Sequence, residues 1–264
     1  MNMVDSEYLW KQVISGKLGN FMAGPCAVES LSQMEKVAEF LVQKQVKILR
    51  AGAYKPRTSP RTFQGLGREG IKIINEICKE HNLVSVTEIM DIRELEYMED
   101  KIDILQVGSR NMFNYSMLKE LGQIDKPILL KRGLMANMEE FIYAAEYIRG
   151  SQNKKVIMCE RGIRTFEQQT RNTLDLSCVA LLKENANFPV VVDLSHSLGR
   201  KDIIIPMANA SLAAGADFLM VEVHPDPDKA LSDVKQQLSL DEFERLICNI
   251  QIFENLSFNK DEVY

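Results

Sequence analysis

Eight short runs of apolar, β-type residues alternate along this chain with segments whose apolar residues recur at helical spacing, and that alternation constrains the fold most. The runs are Phe21–Ala27, Lys47–Ala53, Val84–Met90, Ile104–Ser109, Pro127–Gly133, Val156–Gly162, Pro189–Ser195 and Phe218–His224. Between and after them lie amphipathic stretches: Leu31–Gln45, Arg68–His81, Ile92–Asp100, Met112–Leu121, Met138–Arg149, Arg171–Glu184, Lys201–Gly215 and Asp228–Leu238. Strands joined through helices run parallel, because a parallel pair needs a long crossover. Strands this uniformly apolar are buried on both faces. Eight such units predict a closed (β/α)8 TIM barrel, an α/β fold of one domain, rather than an open sheet. With 264 residues, 45% of them hydrophobic, the chain has the length and the core for it. The expected layout is an N-terminal extension over 1–20, the barrel over 21–240, and a C-terminal helix and tail over 241–264.

In such a barrel, chemistry gathers at the carboxyl ends of the strands. Read in order, those ends carry Cys26 and Glu29, Arg50 and Lys55, Glu88, Gln106 and Arg110, Lys131 and Arg132, Glu160 and Arg161, Asp193 and His196, and Glu222 and His224. The strand starts carry ordinary turn residues such as Asp125-Lys126-Pro127. Arg50 stands inside an apolar run, where a cation is costly unless something anionic meets it. The loop that follows, Lys55-Pro56-Arg57-Thr58-Ser59-Pro60-Arg61, adds cations and hydroxyls stiffened by two prolines. Arg offers a planar fork that matches phosphate, and Lys a point charge. Arg50, Lys55, Arg110, Lys131 and Arg161 together exceed what one phosphate requires. Two anionic substrates, or one bearing both carboxylate and phosphate, would match them better. Salt bridges to Glu88, Glu160 and Asp193 account for part of the charge.

Cys26, His196 and Glu222 end strands that are neighbours in a closed barrel, and Asp233 lies just beyond. A thiolate, an imidazole and two carboxylates suit a divalent metal of borderline character: Mn, Fe, Co or Zn. The plainer reading makes Cys26 a small buried residue after a Gly-Pro turn and His196 a hydrogen-bonded histidine. Lys131 fits an imine-forming lysine, a phosphate ligand or a proton donor, and nothing in its surroundings separates these. Composition narrows the partners. A net charge of −5 argues against nucleic acid or an acidic membrane surface. Five cysteines without a CxxC pair point to a reducing cytoplasm rather than a disulfide-stapled secreted fold. No apolar run approaches the ~20 residues that span a bilayer.

Taken as a set, Gly24-Pro25-Cys26-Ala27-Val28-Glu29-Ser30, Lys55-Pro56-Arg57-Thr58-Ser59, Gly108-Ser109-Arg110-Asn111, Leu130-Lys131-Arg132-Gly133, Cys159-Glu160-Arg161-Gly162, Asp193-Leu194-Ser195-His196-Ser197 and Glu222-Val223-His224 resemble a known family. The chain is similar, over Phe21 to Leu238, to type I 3-deoxy-D-arabino-heptulosonate 7-phosphate (DAHP) synthases of the I-beta subgroup. These lie close to 3-deoxy-D-manno-octulosonate 8-phosphate (KDO8P) synthases. The resemblance implies a transferase that condenses phosphoenolpyruvate with erythrose 4-phosphate at the head of the shikimate pathway to chorismate and the aromatic amino acids. It implies a divalent metal on Cys26, His196, Glu222 and Asp233. It places phosphoenolpyruvate on Arg50, Lys55, Arg110, Lys131 and Arg161, and erythrose 4-phosphate on the Lys55–Ser59 loop, chiefly Arg57, Thr58 and Ser59, with Pro56 and Gln106 also counted as substrate-binding. Ser197 and Arg200 are expected to reach the second phosphate. Asp193 would lie beside the aldehyde, Lys131 would donate the proton, and Glu160 or His196 would handle the water.

The Lys-Pro-Arg-Thr-Ser loop looks like the DAHP form, and Cys26 fits a metal-dependent enzyme. The alternatives are a KDO8P synthase using arabinose 5-phosphate, a Schiff-base aldolase and a non-catalytic phosphate-binding barrel. Feedback through a fused domain is not expected from so short an N-terminal extension. A homo-oligomer, tetramer or dimer, is what the subgroup implies.

Overall fold

The structure of the protein is a computed structural model that describes residues 5–57, 59–186 and 188–257, with side chains described to residue 250. Strands β1 (Phe21–Gly24), β2 (Ile48–Arg50), β3 (Val84–Glu88), β4 (Ile104–Val107), β5 (Ile128–Lys131), β6 (Val156–Glu160), β7 (Val190–Asp193) and β8 (Phe218–Glu222) pair in chain order. All pairings are parallel, and β8 closes on β1 with Gly24 opposite Glu222. The predicted barrel is therefore present, each strand lying inside its predicted run. The helices are α1 (Ser6–Ile14), α2 (Leu31–Gln43), α3 (Arg68–His81), α4 (Leu95–Glu99), α5 (Tyr115–Leu121), α6 (Met138–Arg149), α7 (Leu176–Ala186), α8 (Leu194–Leu198), α9 (Ile204–Ala213) and α10 (Leu240–Ser257).

Local chemistry explains the boundaries. Ser30 caps α2 by accepting from the Gln33 amide, and Asn137 with Glu140 forms a capping box at α6. α3 buries Ile71, Ile74, Ile77 and Cys78 on one face and ends where Asn82 turns left-handed at φ 55°. The run expected as strand through Ser195 stops at Asp193, because that side chain accepts from the His196 amide and starts α8. The helix expected from Arg171 begins only at Leu176. Residues before it form a loop closed by an Ile163–Thr173 bridge. The helix expected over Asp228–Leu238 is absent. That stretch holds a short 3-10 turn, Pro227–Lys229, then an irregular path that returns to pair Leu238 with Val223. Asp233 sits there at φ 48°, which breaks helical geometry outright.

Inside the barrel, inward positions fall two residues apart. Met22, Ile48, Val84, Ile104, Leu129, Ile157, Val191 and Phe218 join one apolar cluster at the floor. Two residues beyond Ile48, Ile104, Leu129, Val191 and Met220 stand Arg50, Gln106, Lys131, Asp193 and Glu222, all buried. The interior is therefore apolar at one end and densely charged at the other.

The helix α1, which the sequence pattern did not announce, plugs the apolar end. Leu9, Val13 and the following Leu18 join the floor cluster, and Lys155 ties the helix down through Glu7 at 2.7 Å and Ser6 Oγ at 2.8 Å. Leu9 is fully enclosed, so Leu9→Ala should lower the unfolding free energy by about 2–5 kcal/mol. Urea denaturation measures this, and anion binding at the opposite mouth should be unchanged.

Candidate active site

The charged end opens into a cavity of about 440 Å³. Its wall holds the cations Arg50, Lys55, Arg57, Arg110, Lys131, Arg161, Arg164 and Arg171 but, among the described residues, only two carboxylates, Glu88 and Asp233. Several of the cations are deeply buried, Arg50 at 2% exposure and Lys131 at 4%. Buried charge needs a partner. Arg50 has Glu222 at 3.3 Å and Gln106 at 3.1 Å, and Lys131 has Asp193 at 2.5 Å. Arg110, Arg161 and Arg164 have no carboxylate within ion-pair distance among the described residues. Arg161 donates to the Gly162 carbonyl at 3.3 Å, and burial pulls its pKa below the ordinary arginine value. Such a wall is completed by an anion.

Next to this wall lies a cluster of metal-ligand type. Cys26, Glu222 and Asp233 offer ligand atoms all within 4.8 Å of one another. Cys26 Sγ is 3.2 Å from Asp233 Oδ2, and Lys55 Nζ donates to that sulfur at 2.8 Å. Burial and Glu222 push the Cys26 thiol up to about 12, with Lys55 opposing. Burial would raise Glu222, but His196, Lys55 and Arg50 outweigh it and hold the carboxyl at about 2. Asp233 occupies left-handed backbone, a region few non-glycine residues adopt and Asp tolerates better than most. Strain kept at a residue that delivers a carboxylate into a cluster is a mark of function. A soft thiol beside two carboxylates, one already ionised, fits a borderline divalent cation.

His196, expected as a fourth ligand, stands at the edge of this cluster rather than within it. Its Nε2 is 3.5 Å from Glu222 Oε1, and its Nδ1 is 2.9 Å from Asp193 Oδ2 but out of line for a hydrogen bond. Burial lowers its pKa against the pull of Asp193 and Glu222, so the ring is neutral near pH 7. Asp193 is fully buried. Burial would raise it, but His196 and Lys131 outweigh that and hold it well below the usual carboxylate range.

The structure brings Arg50, Lys55, Pro56, Arg57, Ser59, Arg110, Lys131, Arg161, His196 and Asp233 to one cavity. Others expected there are elsewhere. Gln106 is buried behind the wall, accepting from Arg50 and donating to Glu88 at 3.0 Å, so it steadies those two side chains. Glu160 also sits behind the wall. It accepts from Arg132 at 2.9 Å and from the Gly162 amide at 2.7 Å, so both its oxygens have protein partners. Ser197 is buried with its hydroxyl on the Leu194 carbonyl, because α8 turns it inward. Arg200 lies in a neighbouring groove, held by Asp202 and by the Gln169 carbonyl. Thr58 lies outside the described residues.

Arg164, Arg171 and Asn172 line the cavity without having been singled out, and Ser109, there too, had entered only as part of a motif. The basic stretch from Arg161 to Arg171 was a usable signal, obscured by reading its end as the start of a helix.

Comparison with known proteins agrees with this geometry. The model of the DAHP synthetase I family matches residues 4–257. A phospho-2-dehydro-3-deoxyheptonate aldolase of Thermotoga maritima is 48% identical over 235 residues, covering 88% of this chain and 70% of that protein. A 2-dehydro-3-deoxyphosphooctonate aldolase of Syntrophobacter fumaroxidans is 27% identical over 263 residues, covering 93% of this chain and 90% of that one. The crystal structure of the Thermotoga maritima DAHP synthase superposes with a TM-score of 0.87 at 46% identity, over 89% of this chain and 69% of that one. Its truncated form gives 0.83 at 42%, over 89% and 86%.

Proposed function

The chain belongs to the DAHP synthetase I family, and on that premise we propose that it condenses phosphoenolpyruvate with erythrose 4-phosphate and water, releasing phosphate and 3-deoxy-D-arabino-heptulosonate 7-phosphate. One observation carries the reading. A cavity with eight cations against two carboxylates, among the described residues, adjoins a Cys–Glu–Asp cluster at the carboxyl mouth of the barrel. Two phosphorylated substrates, one of them also a carboxylate, supply the missing negative charge.

Roles follow from position. Arg110, Lys131 and Arg161 take the phosphate of phosphoenolpyruvate, and Arg50 and Lys55 its carboxylate. Arg57, Ser59 and the neighbouring Thr58 take the phosphate of the aldose, with Arg164 and Arg171 adding charge in the same cavity. Cys26, Glu222 and Asp233, with His196 beside them, would hold a divalent cation (Mn, Fe, Co or Zn), which supplies Lewis-acid polarisation of the aldehyde.

The bond changes then balance. Carbon three of phosphoenolpyruvate attacks the aldehyde carbon, and the aldehyde oxygen takes a proton from Lys131, which Asp193 holds in place from 2.5 Å away. Water adds at carbon two and gives up a proton. The neutral His196 ring is the group present to receive it. The hydroxyl so formed passes its proton to the departing phosphate as the carbon–oxygen bond breaks, which leaves the ketone. The proton taken up by His196 makes good the one that Lys131 gave.

The test is phosphate release from the two substrates, with and without a chelator. Activity is expected to be lost on chelation and to return with added Mn2+. Activity that survives chelation and is trapped by borohydride would make Lys131 an imine former and sink this reading. The 27% identity to phosphooctonate aldolases makes arabinose 5-phosphate the competing acceptor to run alongside. A preference for it would reassign the substrate.

A further inference from the structure

We propose that Gln237 is a positioning residue that sets the distance between the thiol and the carboxylate of the cation site. This role presupposes the cation site proposed above. Gln237 is fully buried, and its one amide spans two segments that are far apart in sequence. The amide oxygen accepts from the Cys26 backbone N–H at 2.9 Å, and the amide nitrogen donates to the Ser232 carbonyl at 2.8 Å. Only one orientation of the amide satisfies both neighbours, since an N–H needs the oxygen and a carbonyl needs the nitrogen.

The two contacts are placed where they matter. One fixes the backbone that carries the Cys26 thiol. The other fixes the peptide plane leading into Asp233, from which that residue reaches its φ of 48°. Gln237 is itself anchored, because the next residue, Leu238, donates to the Glu222 carbonyl at 2.8 Å and accepts from the His224 amide at 2.9 Å. The Gln237 side chain thus ties the turn after β1 to the loop bearing Asp233, and the Leu238 backbone ties both to the end of β8. Its neighbour Gln236 acts differently, donating to Glu222 at 2.6 Å and accepting from Arg171 at 2.6 Å. Replacing Gln236 would therefore disturb a ligand and a pocket cation together, whereas the hydrogen bonds of the Gln237 side chain go to backbone groups. Partners that orient ligands in this way typically contribute 10–100-fold to metal affinity.

Two variants test the role. Gln237→Met keeps the length and removes both hydrogen bonds, and Gln237→Asn keeps the amide but cannot span both contacts. Cobalt binding is followed by the charge-transfer absorption of a cobalt–thiolate bond, and phosphoenolpyruvate binding to metal-free protein by calorimetry. Cobalt affinity should fall by roughly 10–100-fold in both variants, with phosphoenolpyruvate affinity held. If Gln237→Met does not fold by circular dichroism, Gln237→Asn decides. A folded variant that keeps wild-type cobalt affinity overturns the role. So does a parallel loss of both ligands, which would mark Gln237 as merely structural. A wild-type protein that takes up no cobalt overturns the cation site itself, a result separable from either of these.

Discussion

Lys131→Met should cut turnover by at least about 10²–10⁴-fold while phosphoenolpyruvate still binds measurably. The ammonium is buried at the end of β5, 2.5 Å from Asp193, and faces the cavity. Met keeps the length and removes the proton and the charge. Three of the guanidinium groups that line the cavity, Arg50, Arg110 and Arg161, stay in place to hold the substrate, so binding survives where chemistry does not. The change also leaves Asp193 short of a partner, and breaking a buried pair costs about 3–5 kcal/mol. The sign with pH is fixed by Asp193. Its folded pKa lies well below 3.8, so its pairing stabilises the fold above the unfolded value and fades as pH falls through the folded one. The stability cost is therefore fully expressed at pH 7, where chemical denaturation should be run. Phosphate release and titration calorimetry read the other two quantities. Unchanged turnover would remove Lys131 from the proton transfer.

Replacing Asp233 should reduce cation affinity by more than the 10–100-fold typical of an orienting partner, since here a ligand itself is lost. The comparison of Asp233→Ala with Asp233→Gly separates function from strain. Both lose the carboxylate that lies 3.2 Å from the Cys26 sulfur. Glycine adopts a φ of 48° freely, so Asp233→Gly should be more stable than Asp233→Ala by roughly 1–2 kcal/mol. Chelator competition measures the affinity and thermal unfolding the stability. Wild-type cation affinity in both variants would place the cation elsewhere. A gain in stability together with a loss of cation binding would show that the chain holds this backbone for the sake of the site.

Much of this architecture was readable in the chain because the signals are local. The strand runs are apolar on both faces, the helices carry one apolar stripe, and polar residues cluster where strands end. Arg68–His81 and Met138–Arg149 were located to the residue, since each has its own stop or start chemistry in Asn82 and Asn137. The stretch after β8 failed for the opposite reason. Its apolar spacing suggests a helix, yet its path is dictated by contacts with β1 and β8 that no local window contains. The basic stretch from Arg161 to Arg171 failed in the same way, its residues reaching the cavity through a bridge between Ile163 and Thr173.

The sequence by itself determined which residue types stand at the mouth of the barrel, because a period of two along a strand and the direction of the chain settle that without tertiary information. Only the tertiary structure decided which of them face one cavity. Gln106, Glu160, Ser197 and Arg200 have the right chemistry, but each is turned away by a nearer partner: Arg50, Arg132, the Leu194 carbonyl and Asp202. The physical reason is that a polar group, above all a buried one such as Gln106, Glu160 or Ser197, goes to whichever partner the folded backbone brings closest. Closeness across a closed barrel is not written in the spacing of residues along one strand.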